Sequence, residues 1–246
     1  MIEKASRSFA NGSVYMLMTE DNYPVEVTDT FLPYYTKDAI GRHQNMLDNA
    51  DLGSKEDRWM IGVSCMSGCP VHCKFCSTGQ LSKYRNLTAD EIVEQVKFIL
   101  NKADYDPINS KEFKINYTRM GEPFLNIEAV KQAISQIDNM LPGVRVHHYI
   151  STIGINGMDT SWINDNITLQ VSLHSLNEDR RNDLIPFKNK LTIEQLGKIR
   201  TQSDLKTTIN MTLVDENDFD IELLKKYFDK EHFFVKLSPI NKNAVS

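Results

Sequence analysis

The sequence has few cysteines, no long apolar run and no excess of basic residues. Its 246 residues include 4 Cys, all between positions 65 and 76, which is poor spacing for a disulfide framework and typical of thiols kept free in a reducing compartment. No apolar run approaches the roughly 18 residues that a bilayer-spanning helix needs. The first residues, MIEKASRSFANGS, lack the apolar core of a secretory signal. These absences predict a cytoplasmic protein with no membrane partner.

The charge balance is slightly acidic, with 28 Lys and Arg against 33 Asp and Glu and a formal charge of −5. The overall charge therefore does not indicate a nucleic-acid-binding protein, although a local basic strip remains compatible with it. The chain is long enough for one α/β barrel-like domain or two small domains, with 41% hydrophobic residues to form a core.

Strand and helix patterns alternate from residue 58 onward. Strands are predicted at 58–64, 112–118, 144–152, 167–173, 206–213 and 233–238. Helices are predicted at 86–103, 126–141, 191–203 and 218–230, with a short helical piece near 158–164. Such alternation indicates a parallel sheet, and its units are too few for a closed eight-stranded barrel. We therefore expect an α/β fold, a partial (β/α)6 TIM-like barrel, with a doubly wound open sheet as the alternative.

The N-terminal part has a different pattern. Residues 13–20 and 23–30 are predicted to be short strands around a turn, and residues 35–57 are polar and highly charged. The expected domains are an N-terminal β extension with a polar loop over residues 1–57 and a partial barrel over residues 58–246.

The stretch SGCPVHCKFCSTGQ places Cys69, Cys73 and Cys76 in a C-x3-C-x2-C spacing directly after the first predicted barrel strand. Three thiolates are one short of a closed tetrahedral zinc site. An iron–sulfur cube accepts three thiolates and leaves its fourth iron open for a small molecule. A zinc site that also uses Cys65 is the alternative, although the loop would have to fold tightly on itself.

Further polar motifs follow the other predicted strands: MGEP at 120–123, STIG at 151–154, SLHS at 172–175 and SPIN at 238–241. The C-terminal ends of parallel strands are where α/β folds place their functional groups. With Phe75 just before the last cysteine, the cysteine motif resembles the radical S-adenosylmethionine (SAM) superfamily. The five motifs in this order, over residues 58–241, resemble its RNA adenosine C2/C8 methyltransferase (RlmN/Cfr-like) subgroup.

The resemblance implies a [4Fe–4S] cluster and SAM as cofactors, reductive cleavage of SAM to a 5′-deoxyadenosyl radical, and an electron donor such as flavodoxin or ferredoxin. The implied cluster ligands are Cys69, Cys73 and Cys76. The implied SAM-binding residues are Phe75, Gly121, Glu122, Ser151, Ser172, Leu173, His174 and Asn241. Glu26 is implied to be an acidic active-site residue. Arg119 stands where the family usually has a small residue and is a candidate anchor for an anionic substrate.

The sequence departs from the methyltransferase pattern at its thiols. The family's resolving cysteine lies seven residues before the first cluster cysteine, where this chain has Gly62, and no cysteine follows Cys76. Cys65 is the remaining thiol and is expected to be a small buried residue. We therefore expect a radical enzyme that acts directly on a nucleotide, a nucleic-acid base or a small anionic molecule. The alternatives are an RNA adenosine methyltransferase with altered thiols and a non-catalytic zinc-binding module.

Overall fold

The computed structural model describes residues 1–34, 52–213 and 218–239. Asn241 and most of the predicted polar loop lie outside these ranges. Within them, no helix is long and apolar enough to cross a membrane. The chain divides into two compact units. The first comprises Met1–Ser64, Thr88–Arg119 and Glu128–His148, and the second comprises Cys65–Leu87, Met120–Ile127 and Tyr149–Ser246. The expected boundary between residues 57 and 58 stays a prediction.

The strands are β1 (Ile2–Phe9), β2 (Gly12–Met18), β3 (Pro24–Leu32), β4 (Arg58–Val63), β5 (Met66–Ser67), β6 (Arg85–Asn86), β7 (Glu112–Tyr117), β8 (Val146–Thr152), β9 (Ile167–Ser172), β10 (Thr207–Leu213) and β11 (Phe233–Pro239). The helices of the described residues are α1 (Ala89–Lys102), α2 (Ile127–Met140), α3 (Glu178–Leu184), α4 (Ile193–Leu196) and α5 (Ile221–Tyr227).

In the first unit the strand order is β1-β2-β3-β4-β7-β8. Strands β1 to β4 pair antiparallel, and β4 pairs with β7 in parallel. Helix α1 begins at a capping box, in which Thr88 and Glu91 each accept a hydrogen bond from the other's backbone N–H. Burial alternates along β7 and β8, as expected where one face of a sheet packs against helices.

The chain passes into the second unit within β8, between His148 and Tyr149. There the order is β8-β9-β10-β11, and β10 is parallel to both of its neighbours. Strands β5 and β6 form a separate antiparallel ribbon at the two ends of the cysteine segment. The predicted fold class is confirmed, because the fold is α/β with a mostly parallel central sheet and antiparallel strands at the N-terminus.

Three predictions of local structure were wrong. Strand β1 was missed because its residues are mostly polar and exposed and it lies at the edge of the sheet. The segment 158–164 forms turns, since Asp159 accepts from the Ser161 N–H and Thr160 donates to the Arg200 carbonyl in place of helix bonds. The helix expected over 191–203 spans only Ile193–Leu196. It stops at Gly197, whose missing Cβ would lie 2.1 Å from the Tyr227 carbonyl oxygen.

Candidate functional site

The cysteine segment lies in the second unit and is organised by short-range backbone hydrogen bonds. The Cys76 N–H donates to the Cys73 carbonyl at 3.1 Å, and the Gly79 N–H donates to the Cys76 carbonyl at the same distance. His72 Nδ1 donates to the Gly79 carbonyl at 2.7 Å. These bonds fold the segment back on itself, so that the C-x3-C-x2-C residues share one tight loop.

The loop cysteines form no disulfide and differ in exposure. Cys69 is buried, whereas Cys73 and Cys76 are half-buried. Burial raises the pKa of the Cys69 thiol to about 11 and raises that of Cys73 further, and the neighbouring thiols and Glu122 act in the same direction on both. The protein alone therefore favours neutral thiols here, and a bound metal centre would supply the positive charge that thiolates need.

Cys65 lies at the start of the cysteine segment, and its thiol interacts electrostatically with Glu122 and Cys69. It is 2% exposed, and its Sγ lies 3.5 Å from the Met120 carbonyl oxygen. Its backbone N–H donates to the same carbonyl at 2.9 Å, and its own carbonyl accepts from Asn126 Nδ2 at 2.8 Å. The expectation of a small buried residue is confirmed, since Cys65 fixes the start of the loop to the segment after β7.

Glu122 is a buried carboxylate beside this loop. It is 3% exposed, with Oε1 accepting from the Phe124 N–H at 3.1 Å and Oε2 from the Ile153 N–H at 2.9 Å. The Thr152 hydroxyl donates a further bond. Burial raises the pKa of Glu122 to about 7 despite these donors. The side chain is therefore rigidly held and is close to the midpoint of its titration at neutral pH.

The residue before it, Gly121, has a φ of 101°, a conformation that only glycine adopts without strain. A Cβ at this position would lie 2.5 Å from Met66 Cγ and 2.9 Å from the Met66 backbone nitrogen. Gly121 therefore allows the MGEP turn to approach the start of the cysteine loop and sets where Glu122 is placed.

The predicted serines come from adjacent strands of the second unit. Ser151 lies near the end of β8, Ser172 is the last residue of β9, and their hydroxyl oxygens are 3.3 Å apart. Both are half-buried, and both belong to the half-exposed face of their strands. Leu173 follows with its side chain fully buried and its N–H bonded to the Asn210 carbonyl at 3.0 Å.

His174 contacts the cysteine loop through Phe75, with the ring centroids 4.7 Å apart in an edge-to-face arrangement. Its Nδ1 accepts from the Thr212 N–H at 3.1 Å, so a neutral imidazole carries its proton on Nε2. Burial, assisted by the charge of Arg181, lowers the pKa of His174 to about 4. His174 is therefore a neutral donor at physiological pH.

Glu26 and Arg119 lie in the first unit, where Arg119 Nη2 donates to Glu26 Oε1. Their side chains are 38% and 34% exposed. Gly62 lies next to this pair, since a Cβ there would be 2.4 Å from Thr28 Oγ1 and 3.0 Å from Arg119 Cδ. A side chain at the position that holds the resolving cysteine in the resembled subgroup therefore requires the Thr28 and Arg119 side chains to shift.

In the second unit, contacts and electrostatic interactions connect most of the predicted site residues. They connect Glu122 to Cys69 and Cys73, Phe75 to His174, and Ser151 to Ser172. Asn241 lies outside the described residues. Glu26 and Arg119 lie in the other unit. Sequence reasoning missed Thr152, which lies within the STIG motif, and Arg181, which follows the SLHS motif.

In the described part of the chain, no three His, Cys, Asp or Glu side chains are grouped closely enough to bind a single metal ion. In a cube, each thiolate bonds to a different iron, so three cysteines can be further apart than the ligands of one zinc ion. The three free thiols of the loop fit a cluster of this kind in number and chemistry.

The sequence matches the radical SAM superfamily over residues 63–228. It is similar to a protein of Chlorobium phaeobacteroides (strain BS1) described as "Probable dual-specificity RNA methyltransferase RlmN", with 30% identity over 238 residues that cover 92% of this chain and 65% of the relative. A Pseudothermotoga lettingae protein of the same description is 34% identical over 190 residues. This match covers 73% of this chain and 54% of the relative. The chain spans roughly half to two thirds of the length of these relatives.

The fold is also similar to that of a solved structure, a radical SAM methyltransferase from Sphaerobacter thermophilus. The TM-score is 0.68, with 22% identity, and the match covers 99% of this chain and 68% of the other. At this identity the similarity supports the fold alone. The superfamily match covers more than half of the sequence and includes the three-cysteine loop and Glu122. The chain therefore belongs to the radical SAM superfamily, whose members are enzymes that use a [4Fe–4S] cluster and SAM.

Proposed function

We propose that this protein is a radical SAM enzyme that cleaves SAM reductively and uses the resulting radical directly on a nucleotide, a nucleic-acid base or another anionic substrate. The observation that most supports this proposal is the burial of Glu122 beside three free cysteines on one loop. A buried carboxylate beside free thiols is typical of a site that binds a ligand with positive charge.

In this proposal Cys69, Cys73 and Cys76 hold the cluster. When bound, a [4Fe–4S] cluster with an open iron binds the amino and carboxylate groups of SAM and supplies the electron for reductive cleavage to a 5′-deoxyadenosyl radical. The tight hydrogen-bonded loop fixes the spacing of the three thiols. The reducing electron comes from a small carrier such as flavodoxin or ferredoxin.

Glu122 is the proposed acceptor for the amino group of SAM. Its two oxygens already accept from the Phe124 and Ile153 backbone N–H groups, so the carboxylate cannot turn away from its position. A pKa near 7 means that N–H donors on the bound amino group favour the charged form of Glu122, so that SAM binding releases its proton. SAM binding should therefore strengthen as the pH rises through neutrality.

The Ser151 and Ser172 hydroxyls and the neutral His174 are proposed contacts for the rest of the cofactor. The hydroxyls lie side by side on one strand face and can each donate or accept a hydrogen bond. Because His174 is neutral, its Nε2–H can donate to an oxygen or nitrogen acceptor without adding a positive charge beside the sulfonium of SAM. Phe75, Gly121 and Leu173 would shape this pocket, and Asn241 remains a prediction.

The Arg119 guanidinium in the first unit favours a substrate that carries negative charge. A guanidinium can grip a carboxylate or phosphate through two parallel N–H bonds, and Arg119 is partly exposed. Glu26 occupies one of its donors, so an anionic substrate would join or replace that carboxylate. The names of the relatives indicate RNA as one substrate of this charge.

The second candidate is RNA adenosine methylation, and the similarity to the proteins described as RNA methyltransferases favours it. The packing at Gly62 weighs against a methylation reaction that uses a resolving cysteine at this position. A cysteine side chain there would collide with the Thr28 and Arg119 side chains. A zinc-binding module is a third reading.

An anaerobic turnover assay tests the proposal. The purified protein is incubated with SAM and dithionite, with and without an RNA substrate, and the products are quantified by mass spectrometry. The proposal predicts 5′-deoxyadenosine and methionine in equal amounts, without matching S-adenosylhomocysteine. Equal amounts of S-adenosylhomocysteine and 5′-deoxyadenosine, with a new methyl group on an RNA adenosine, would establish the methyltransferase instead.

A further inference from the structure

Arg181 in α3 is a charged side chain that the proposed SAM site does not use. It is completely buried, which is unusual for arginine. Nη1 donates to the Leu191 carbonyl at 2.8 Å and Nη2 to the Ile153 carbonyl at 2.7 Å. Ile153 is also the residue whose N–H holds Glu122. Arg181 therefore fixes the segment after β8 and the segment before α4 at the same time.

The charge of Arg181 is poorly compensated within the described residues. It pairs with Glu178, whose Oε1 lies 3.8 Å from Arg181 Nη1 and whose side chain is 39% exposed. The buried Nε–H finds no hydrogen-bond acceptor among the described residues. A buried cation with an unused donor costs several kcal/mol unless an anion lies nearby when the protein is in its working state. The hydrogen bonds of Arg181 hold two segments in place, but the described residues compensate its charge only in part.

The cysteine loop is directly attached to the helix that carries Arg181. The Lys74 N–H donates to the Leu184 carbonyl at 3.0 Å, and the Ile185 N–H donates to the Arg181 carbonyl at 2.9 Å. Cys73 immediately precedes Lys74, and its thiolate would interact electrostatically with Arg181. Burial lowers the pKa of Arg181 to about 10, so the guanidinium is still charged at neutral pH.

We propose that Arg181 is a positioning residue whose buried charge compensates the cluster at Cys73 and makes that cluster easier to reduce. This inference rests on the proposed function, because it requires the cluster to bind at the three-cysteine loop. A cube with three thiolates carries a net negative charge and gains another when it accepts an electron. A nearby fixed cation stabilises the reduced form more than the oxidised form, because the interaction grows with the charge of the cluster.

The test is a redox titration of the reconstituted protein, followed by the electron paramagnetic resonance signal of the reduced cluster. Arg181→Gln removes the charge and keeps a hydrogen-bonding amide, whereas Arg181→Lys keeps the charge. Arg180→Gln is the matched control, since Arg180 is the neighbouring residue with the same charge. It is 38% exposed and lies within 3.4 Å of Asp183 and Asp218 carboxylate oxygens. Iron and sulfide are assayed in every sample.

For Arg181→Gln we expect the reduction equilibrium to become at least tenfold less favourable, which is a shift of about 59 mV toward negative potential for one electron. We expect Arg181→Lys to stay near the wild-type potential and Arg180→Gln to shift it by less than a third as much. If Arg181→Gln loses the cluster while Arg181→Lys retains it, the requirement for the charge is supported as well.

The inference is overturned if Arg181→Gln keeps both the cluster and the wild-type potential, or if Arg180→Gln produces an equal shift. It is also overturned if neither Arg181 variant holds a cluster, because the charge would then not be what matters. A wild-type protein that binds no iron and sulfide would instead overturn the proposed function, and the inference with it. The cluster assay on the wild type thus distinguishes the two failures.

Discussion

Gly121→Ala is expected to destabilise the protein and to weaken SAM binding through two separable effects. The first is backbone strain, because an alanine at a φ of 101° occupies a conformation that L-residues rarely adopt. The second is a collision, because the new Cβ would lie 2.5 Å from Met66 Cγ and 2.9 Å from the Met66 backbone nitrogen. The second contact involves backbone, so a rotamer change in Met66 cannot relieve it.

The chain offers a control for the first effect alone. Gly157 also has a positive φ, 79°, and a Cβ there would meet no atom within 4 Å. Strain of this kind costs about 1–3 kcal/mol, and overpacking adds about 1–3 kcal/mol. We therefore expect Gly157→Ala to lower the free energy of unfolding by about 1–3 kcal/mol and Gly121→Ala to lower it by about 2–6 kcal/mol.

The measurement is urea unfolding of the cluster-free proteins, so that cluster loss does not contribute, followed by calorimetric titration of the reconstituted proteins with SAM. Only Gly121→Ala should weaken SAM binding, because only that substitution displaces the neighbouring Glu122. Equal destabilisation by the two substitutions would show that the close approach of Met66 is not present in solution. Unchanged SAM affinity in Gly121→Ala would remove this turn from the proposed cofactor site.

Three other substitutions test separate parts of the site. Glu122→Ala should weaken SAM binding by about 1.5–3 kcal/mol, the range for a hydrogen bond to a charged group, without loss of iron, and unchanged affinity would exclude Glu122. Because His174 has a folded pKa of about 4 against an ordinary 6.5, it contributes stability above pH 6.5 that is lost as the pH falls through 4. That loss is about 3 kcal/mol. His174→Gln should therefore weaken the dependence of the free energy of unfolding on pH in this acidic range. An unchanged dependence would contradict a buried, neutral imidazole. Gly62→Cys should destabilise the protein by about 1–3 kcal/mol, through the collision with Thr28 and Arg119, and should yield no S-adenosylhomocysteine. A stable variant that forms this product would show that the position accepts a resolving thiol.

Local patterns in the sequence predicted much of the fold. The strands predicted at 58–64 and 112–118 and the helix predicted at 126–141 depend on residues that are close together in the chain, and they were found as β4, β7 and α2. Strand β1 could not be found in this way, because an exposed edge strand is held by its backbone pairing with β2 and has no apolar face. The length of α4 depended on a non-local contact, the approach of the Tyr227 backbone to Gly197.

In the candidate site, too, features set by nearby residues could be predicted and features set by residues distant in sequence could not. The cysteine spacing and the MGEP motif, together with the family resemblance, indicated a loop and a turn that the structure brings near one another, and their role as site residues stays a prediction. The burial of Glu122, the neutral state of His174 and the ion pair between Glu26 and Arg119 depend on residues distant in sequence. Arg181 was missed because nothing in its local sequence distinguishes it from the exposed Arg180 beside it.

The most direct test of the account is the iron and acid-labile sulfide content of anaerobically reconstituted protein in single-cysteine variants. The account predicts equal iron and sulfide in the wild type, loss of both in Cys69→Ala, Cys73→Ala and Cys76→Ala, and retention of both in Cys65→Ala. Cys65 is the matched control because it is a free, buried cysteine of the same segment. Full iron and sulfide in a variant lacking all three loop cysteines, or zinc without sulfide in the wild type, would contradict the central claim.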